Sequence, residues 1–388
     1  MTQSNRDPIK VGVLFSASGV TAPIESSQQR ATIFATEEIN AAGGIDGREL
    51  QLILCDTESR PARYAELMNE MIAGAQTRVI VGCYMSSTRK AVLPILERHN
   101  ALLLYPTLYE GFECSRNVIY TGAAPNQNSL PLAGYMLKHH GKRVFMVGSD
   151  YIYPYEANRV MSDLIFENGG EKLEEIYLPL NADYPSYQEV VKKIVAAEPD
   201  FIYSTVVGMG MAHLYRAYAE AGLDPCKCPI ATLSTTETEF TAMGADLGEG
   251  HITSAPYFQS VDTAVNRDVI TRFKRRFGDE VVTDMCWEAA YFQMHLLADA
   301  MRRTGNADPD ALLHTLPGME LDAPQGRVRI DEQNHHTYLR PRIGRLNRHG
   351  QFDIIHEAPN WVRADPFVIS YSLDEADTTQ AKTEEASE

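Results

Sequence analysis

The sequence predicts an α/β protein built as two doubly wound parallel-sheet lobes. Short apolar runs alternate with segments of helical period almost from end to end. The alternation runs through one complete cycle before 123–127 and begins again after it. A chain of 388 residues with 44% hydrophobic content is also long enough for two cores.

In order, Ile9 to Phe15 reads as a strand and Gln28 to Ala42 as a helix stopped at Gly43-Gly44. Leu50 to Cys55 is a second strand, and Arg60 to Ala75 a helix with Pro61 in its first turn. The stretch Val79 to Pro106 is the centre of the first lobe. An apolar strand ends in Gly82-Cys83-Tyr84, the N-cap residue types Ser86, Ser87 and Thr88 open a helix, and a strand over Ala101 to Leu104 delivers Tyr105, Pro106 and Thr107. After the strand Val118 to Thr121 the chain is expected to cross at Ala123 to Gln127.

The second lobe repeats the scheme. Leu130 to Lys138, Tyr155 to Asn168, Tyr187 to Ala197 and Met211 to Ala221 read as helices. Arg143 to Val147, Glu174 to Leu178, Phe201 to Val206, Pro229 to Leu233 and His251 to Ala255 read as strands. A return crossing at Pro256-Tyr257-Phe258 leads to first-lobe helices over Val265 to Phe277 and Cys286 to Thr304, then a short helix over Asp308 to Leu316 and a strand over Arg327 to Ile330. A hairpin of Leu339 to Leu346 with Phe352 to His356 turns at Arg348-His349-Gly350. The expected division is 8–124 plus 256–332, and 125–255 plus 333–373. The acidic tail 374–388, with almost no apolar residues, is expected to be disordered.

Composition excludes several functions. A formal charge of −17 leaves no basic stripe to displace phosphate counterions, which argues against direct nucleic-acid binding. No apolar run is long enough for a bilayer span. Met1 leads almost directly into a strand without a basic n-region or apolar h-region, so a cytoplasmic location is expected. The six cysteines show no framework spacing. Cys226-Lys227-Cys228 has no matching second pair and reads as a loop, and His139-His140 and His335-His336 read as surface pairs. No metal or cofactor is implied.

Strand ends of both lobes carry the candidate ligand-binding residues: Tyr84, Ser86, Tyr105 and Thr107 from the first, and Tyr151, Tyr153, Thr205 and Val207 from the second. In open parallel sheets, ligands sit beyond the carboxyl ends of the strands, which places these residues beside an expected interlobe cleft. The set is hydroxyl-rich, aromatic and uncharged, which suits a neutral amide, whose carbonyl needs donors and whose NH₂ needs acceptors. Asp150 leaves an amino-acid ligand open. Enzyme chemistry through Cys83 would need an oriented base, and no motif supplies one. The GxSxG elbow and the P-loop are both absent.

Six separated motifs, GCYMSSTRKAVLP, YPTLYEGFE, TGAAPNQNS, VGSDYIYP, STVVG and DAPQG, resemble in order and spacing the short-chain amide and urea receptors among type I periplasmic-binding-protein folds. The similarity runs from about Lys10 to Asp374. It implies two lobes joined by three crossings, the third over Asp331 to Leu339, and an amide pocket lined by Ser86, Tyr105, Thr107 and Tyr151. Within the family the resemblance is to cytoplasmic amide sensors, negative regulators of an amidase operon. Their partner is an RNA-binding antitermination regulator, held inactive until amide binds. A urea or amide transport receptor of the ABC type is the alternative. Met285-Cys286-Trp287, Met209 and Met211 depart from the pattern, and a homo-oligomer is left open.

Overall fold

A computed structural model describes residues 7–368; the acidic stretch from Asp374 lies outside them. The chain divides into two compact units. One holds the described residues up to Leu108, Cys114–Gly122 and Val261–Tyr338. The other holds Tyr109–Glu113, Ala123–Ser260 and the described residues from Leu339 on.

The first unit opens with β1 (Ile9–Phe15), α1 (Ala22–Ala41), β2 (Leu50–Asp56), α2 (Pro61–Glu70), β3 (Val79–Gly82), α3 (Ser86–His99), β4 (Leu102–Tyr105) and β5 (Val118–Tyr120). Its five strands are parallel in the order β2-β1-β3-β4-β5. The central strands are buried nearly throughout, as strands covered on both faces must be. At the edge, β2 is buried only at Leu50 and is otherwise partly or fully exposed. Helix α1 begins at Ala22, six residues before the expected start, because Pro23 fits a first turn and the polar residues after it face inward. Gly43 and Gly44, both at positive φ, end it, with Gly44 N–H donating to Ile39 O at 2.9 Å. After α2 the chain continues as a π-helical turn, Met71–Ala75.

The second unit runs α4 (Pro125–His139), β6 (Arg143–Ser149), α5 (Ile152–Glu167), β7 (Glu171–Leu178), α6 (Tyr184–Ala197), β8 (Phe201–Thr205), α7 (Met209–Glu220), β9 (Ile230–Thr232), α8 (Glu237–Met243) and β10 (Ile252–Ala255). Helix α8 was not expected. Its sign in the sequence is the capping box Thr236/Glu239, where Thr236 N–H donates to Glu239 Oε2 at 2.9 Å. The chain then returns to the first unit with α9 (Ala264–Phe277), α10 (Met285–Thr304), α11 (Pro309–Thr315), β11 (Glu320–Ala323), β12 (Gly326–Ile330) and β13 (Thr337–Tyr338). It ends in the second with β14 (Arg342–Leu346) and β15 (Phe352–Glu357). Strands β11 to β13 form a small antiparallel sheet, so DAPQG is a hairpin turn. Pro341 holds the start of β14 back to Arg342, three residues after the expected start.

The second sheet has the order β15-β14-β10-β9-β8-β6-β7, parallel from β10 to β7 and antiparallel at β14 and β15. Residues 256–260 group with this unit, held by Ser260 Oγ donating to Phe352 O at 2.5 Å and by the packing of Phe258 on Phe352. Residues 333–338 group with the first, where Thr337 Oγ1 donates to Tyr120 O at 2.9 Å. Both boundaries lie a few residues from those expected.

Helix α10 is the core helix of the first unit. Asp284 caps it, accepting from Cys286 and Trp287 N–H at 2.8 Å each, while Ser27 Oγ on α1 donates to Asp284 Oδ2 at 2.7 Å. Trp287 is fully buried and stacks on Tyr291, with Phe34 and Phe273 around it. The tryptophan of the divergent MCW segment is thus a core residue.

Candidate functional site

In both units the strand order reverses around the first strand, so each sheet has a switch point where crevices form. In the first unit it lies at the carboxyl ends of β1 and β3, and in the second at those of β6 and β8.

In the first unit, β3 runs into Gly82 and Cys83, both at positive φ. A Cβ at Gly82 would lie 2.3 Å from Leu14 O, so only glycine allows this approach to β1. Cys83 N–H donates to Leu14 O at 2.9 Å, holding a non-glycine residue in the left-handed region. The turn presents Tyr84 and Ser86. Met85, not one of the three expected hydroxyl residues, is the N-cap of α3. Its extended backbone makes the entry, and Thr88 Oγ1 donates to Met85 O at 2.7 Å.

The four first-unit candidates are gathered by local hydrogen bonds. Tyr105 hydroxyl donates to Tyr84 O at 2.8 Å, and Thr107 Oγ1 donates to Cys83 O at 3.2 Å. The β3 turn and the end of β4 are thereby tied together. Arg89, fully buried on α3, brings Nη1 to 3.4 Å from Ser86 Oγ and lays its guanidinium 4.9 Å from the Tyr105 ring centre. The candidates themselves are uncharged, and the structure adds a buried cation beside two of them. Tyr120 packs edge-on to Tyr105, and His336 stacks on Tyr120 at 4.1 Å. His335-His336 is therefore not a surface pair. Burial holds the His336 imidazole down at about 4, and its Nδ1 donates to Asn334 O at 2.6 Å.

Two further groups at this switch point escaped the sequence reading. Gln28 on α1, fully buried, donates through Nε2 to Pro106 O at 3.0 Å and to Thr107 Oγ1 at 2.9 Å. Glu25, one turn earlier, accepts from Ser16 N–H at 2.9 Å, Thr21 Oγ1 at 2.5 Å and the Tyr64 hydroxyl. Burial raises the Glu25 carboxyl above the usual range against the pull of these donors. Burial, and then the nearby Glu25, also push the Cys83 thiol well above its ordinary value. A fully buried thiol of this kind supplies almost no thiolate, so Cys83 is a core residue and not a nucleophile.

In the second unit, β6 ends at Ser149 and the chain turns through Asp150 and Tyr151, the N-cap of α5. Tyr151 is partly exposed and Tyr153 buried, their ring centres 6.3 Å apart. Thr205 Oγ1 donates to Asn158 Oδ1 on α5 at 2.9 Å, and Val207 N–H donates to Ser149 Oγ at 3.1 Å. The ends of β6, β8 and α5 are thereby locked together. Gly148 is needed here, because a Cβ would lie 2.7 Å from Thr205 Oγ1. Met209 is well exposed, and Met211 is buried with its sulfur accepting from Thr235 Oγ1 at 3.3 Å.

Among the described residues no group of three His, Cys, Asp or Glu side chains could hold a metal, and no helix is long and apolar enough to cross a membrane. Cys226 is exposed and Cys228 buried.

Two such switch points, each framed by hydroxyls and aromatics, are the hallmark of a small-molecule binding architecture. The model of the periplasmic binding protein domain matches residues 9–372, and the chain belongs to that family. It is similar to the leucine-, isoleucine-, valine-, threonine- and alanine-binding protein of Pseudomonas aeruginosa, at 23% identity over 84% of this chain and 87% of that one. It is also similar to the Leu/Ile/Val-binding protein homolog 6 of Brucella suis, at 25% identity over 86% of this chain and 87% of that one. Among solved structures, the ABC-transporter solute binding protein of Rhodopseudomonas palustris BisB5 in complex with 3,4-dihydroxybenzoic acid superimposes with a TM-score of 0.82. It is 22% identical and covers 91% of this chain and 97% of that one. The chain is thus a ligand-binding protein with the type I periplasmic-binding-protein fold.

Proposed function

We propose that this protein is the solute-binding component of an ABC-type uptake system, and that its ligand is a short-chain amide or urea-type molecule. The observation that carries the ligand class is the gathering of Tyr84, Tyr105 and Thr107 at one switch point through backbone and hydroxyl groups, with Ser86 held there by Arg89. Ser86, Thr107 and Tyr151 are the residues assigned to polar recognition, with Tyr84, Tyr105, Tyr153, Thr205 and Val207 framing them. The similarity to transport receptors supports the role. Buried Arg89 favours a second ligand class, a carboxylate-bearing solute such as those named for the relatives.

The six-motif resemblance favours a different role: a cytoplasmic sensor that releases an antitermination regulator when amide binds. Thermal-shift screening against acetamide, urea, leucine and 4-hydroxybenzoate decides the class, since a ligand of the native state raises the melting temperature. Stabilisation by the two neutral compounds is expected. Stabilisation by leucine or 4-hydroxybenzoate alone would replace the amide reading with the carboxylate one. Copurification of a partner that dissociates on adding amide would replace the transport role with the sensor role.

A further inference from the structure

From the hydrogen-bond directions around Gln28 we infer that this buried glutamine is a positioning residue that sets the polarity of the first-unit site, so that the ligand presents N–H donors to Thr107 and Gln28. The inference rests on the amide reading above and goes further by saying which end of the ligand faces this unit.

Pro106 O can only accept, so the Gln28 group 3.0 Å from it is the NH₂, and the amide orientation is fixed. The other N–H of Nε2 goes to Thr107 Oγ1 at 2.9 Å. With one lone pair of that oxygen occupied, its own proton goes to Cys83 O at 3.2 Å. What Thr107 retains is a second lone pair, so toward a ligand it accepts and cannot donate. Gln28 Oε1, on the same amide group, is buried and has no donor in range among the described residues. Thr107 and the glutamine bonded to it thus each keep an acceptor, one of them a buried carbonyl oxygen that requires a donor. A primary amide or urea NH₂ satisfies that pair. A carboxylate of the same shape sets lone pairs against lone pairs.

The test is calorimetry on the full chain with two matched ligand pairs. Acetamide and acetate are isosteric, and propionamide and N-methylacetamide are isomers differing in N–H count. Acetamide is expected to bind at least tenfold tighter than acetate, and propionamide at least tenfold tighter than N-methylacetamide. In Gln28→Met, which keeps the length but neither donates nor offers an oxygen, the ratio within each pair is expected to fall toward one. A glutamine that only supports the fold would lower all four affinities together and leave the ratios unchanged, which would overturn the positioning role. Should Gln28→Met not fold, the wild-type ratios decide alone. Acetate or N-methylacetamide binding as tightly as its partner would overturn the inference while leaving amide binding intact. Failure of all three amides to bind would overturn both.

Discussion

Cys83 shows how one residue can look reactive in a sequence and be inert in a fold. It ends a strand beside the candidate site, yet its side chain is fully buried and its thiol is pushed above the ordinary range by burial and by Glu25. Iodoacetamide at pH 8 is expected to modify exposed Cys114 and Cys226 in the native protein and to leave Cys83 unmodified, as read by peptide mass spectrometry. Rapid native-state labelling of Cys83 would restore the enzyme alternative. Tyr151 is the converse, a rim residue whose removal should touch function and not fold. Tyr151→Phe is expected to cost about 1–3 kcal/mol of amide affinity with little change in melting temperature. Unchanged affinity would take Tyr151 out of the site.

At the scale of elements, the legible part of the fold rests on chain-local signals. Apolar runs and glycine stops placed nearly every strand of the two large sheets, and the candidate residues occupy positions at or just past the carboxyl ends of their parallel strands. Glu25 was missed because α1 begins six residues before its apolar period becomes clear, and Gln28, the first residue of the expected helix, because its partners are remote. Gln28 meets Thr107 across 79 positions, and Tyr64 reaches Glu25 across 39. Arg89, buried beside the first-unit set, was not singled out because nothing in its local sequence marks a helix arginine for burial.

Gly122, in the motif TGAAPNQNS, is one such remote constraint: a Cβ there would lie 2.1 Å from the Thr107 carbonyl carbon. Gly122→Ala is expected to lose about 1–3 kcal/mol of stability in urea unfolding and to weaken ligand binding by moving Thr107. Full retention of both would contradict the assigned packing.

His251 ties β9 to β10 in the second unit. Its Nδ1 accepts from Ile230 N–H at 2.9 Å, the rings of Tyr215 and Tyr218 meet it edge-on, and burial holds its imidazole down at about 3. The unfolded state therefore takes up a proton near the ordinary histidine value while the folded state does not. Stability is fully present above about pH 6.5 and falls as pH drops toward 3, by up to about 1.4 kcal/mol per pH unit. His295 and His336 act with the same sign, so the informative quantity is a difference. His251→Gln keeps an acceptor for Ile230 and should show a shallower decline between pH 6.5 and 4 than the parent. Parallel profiles would contradict a neutral buried His251.

For the whole molecule, the net charge of −17, the family membership and the two strand-end sites agree on a binding protein for a small solute. The size of the ligand limits its affinity. At a ceiling of about −1.5 kcal/mol per heavy atom, a four-heavy-atom amide gains about −6 kcal/mol, a Kd on the order of tens of micromolar. The most direct test of the central claim is therefore titration calorimetry of the full chain with acetamide and urea beside leucine and 4-hydroxybenzoate. At least one of the two neutral compounds is expected to bind saturably with a Kd on the order of tens of micromolar or weaker, and the two carboxylates to give no heat. Tight binding of leucine or 4-hydroxybenzoate, with neither acetamide nor urea binding, would contradict that claim.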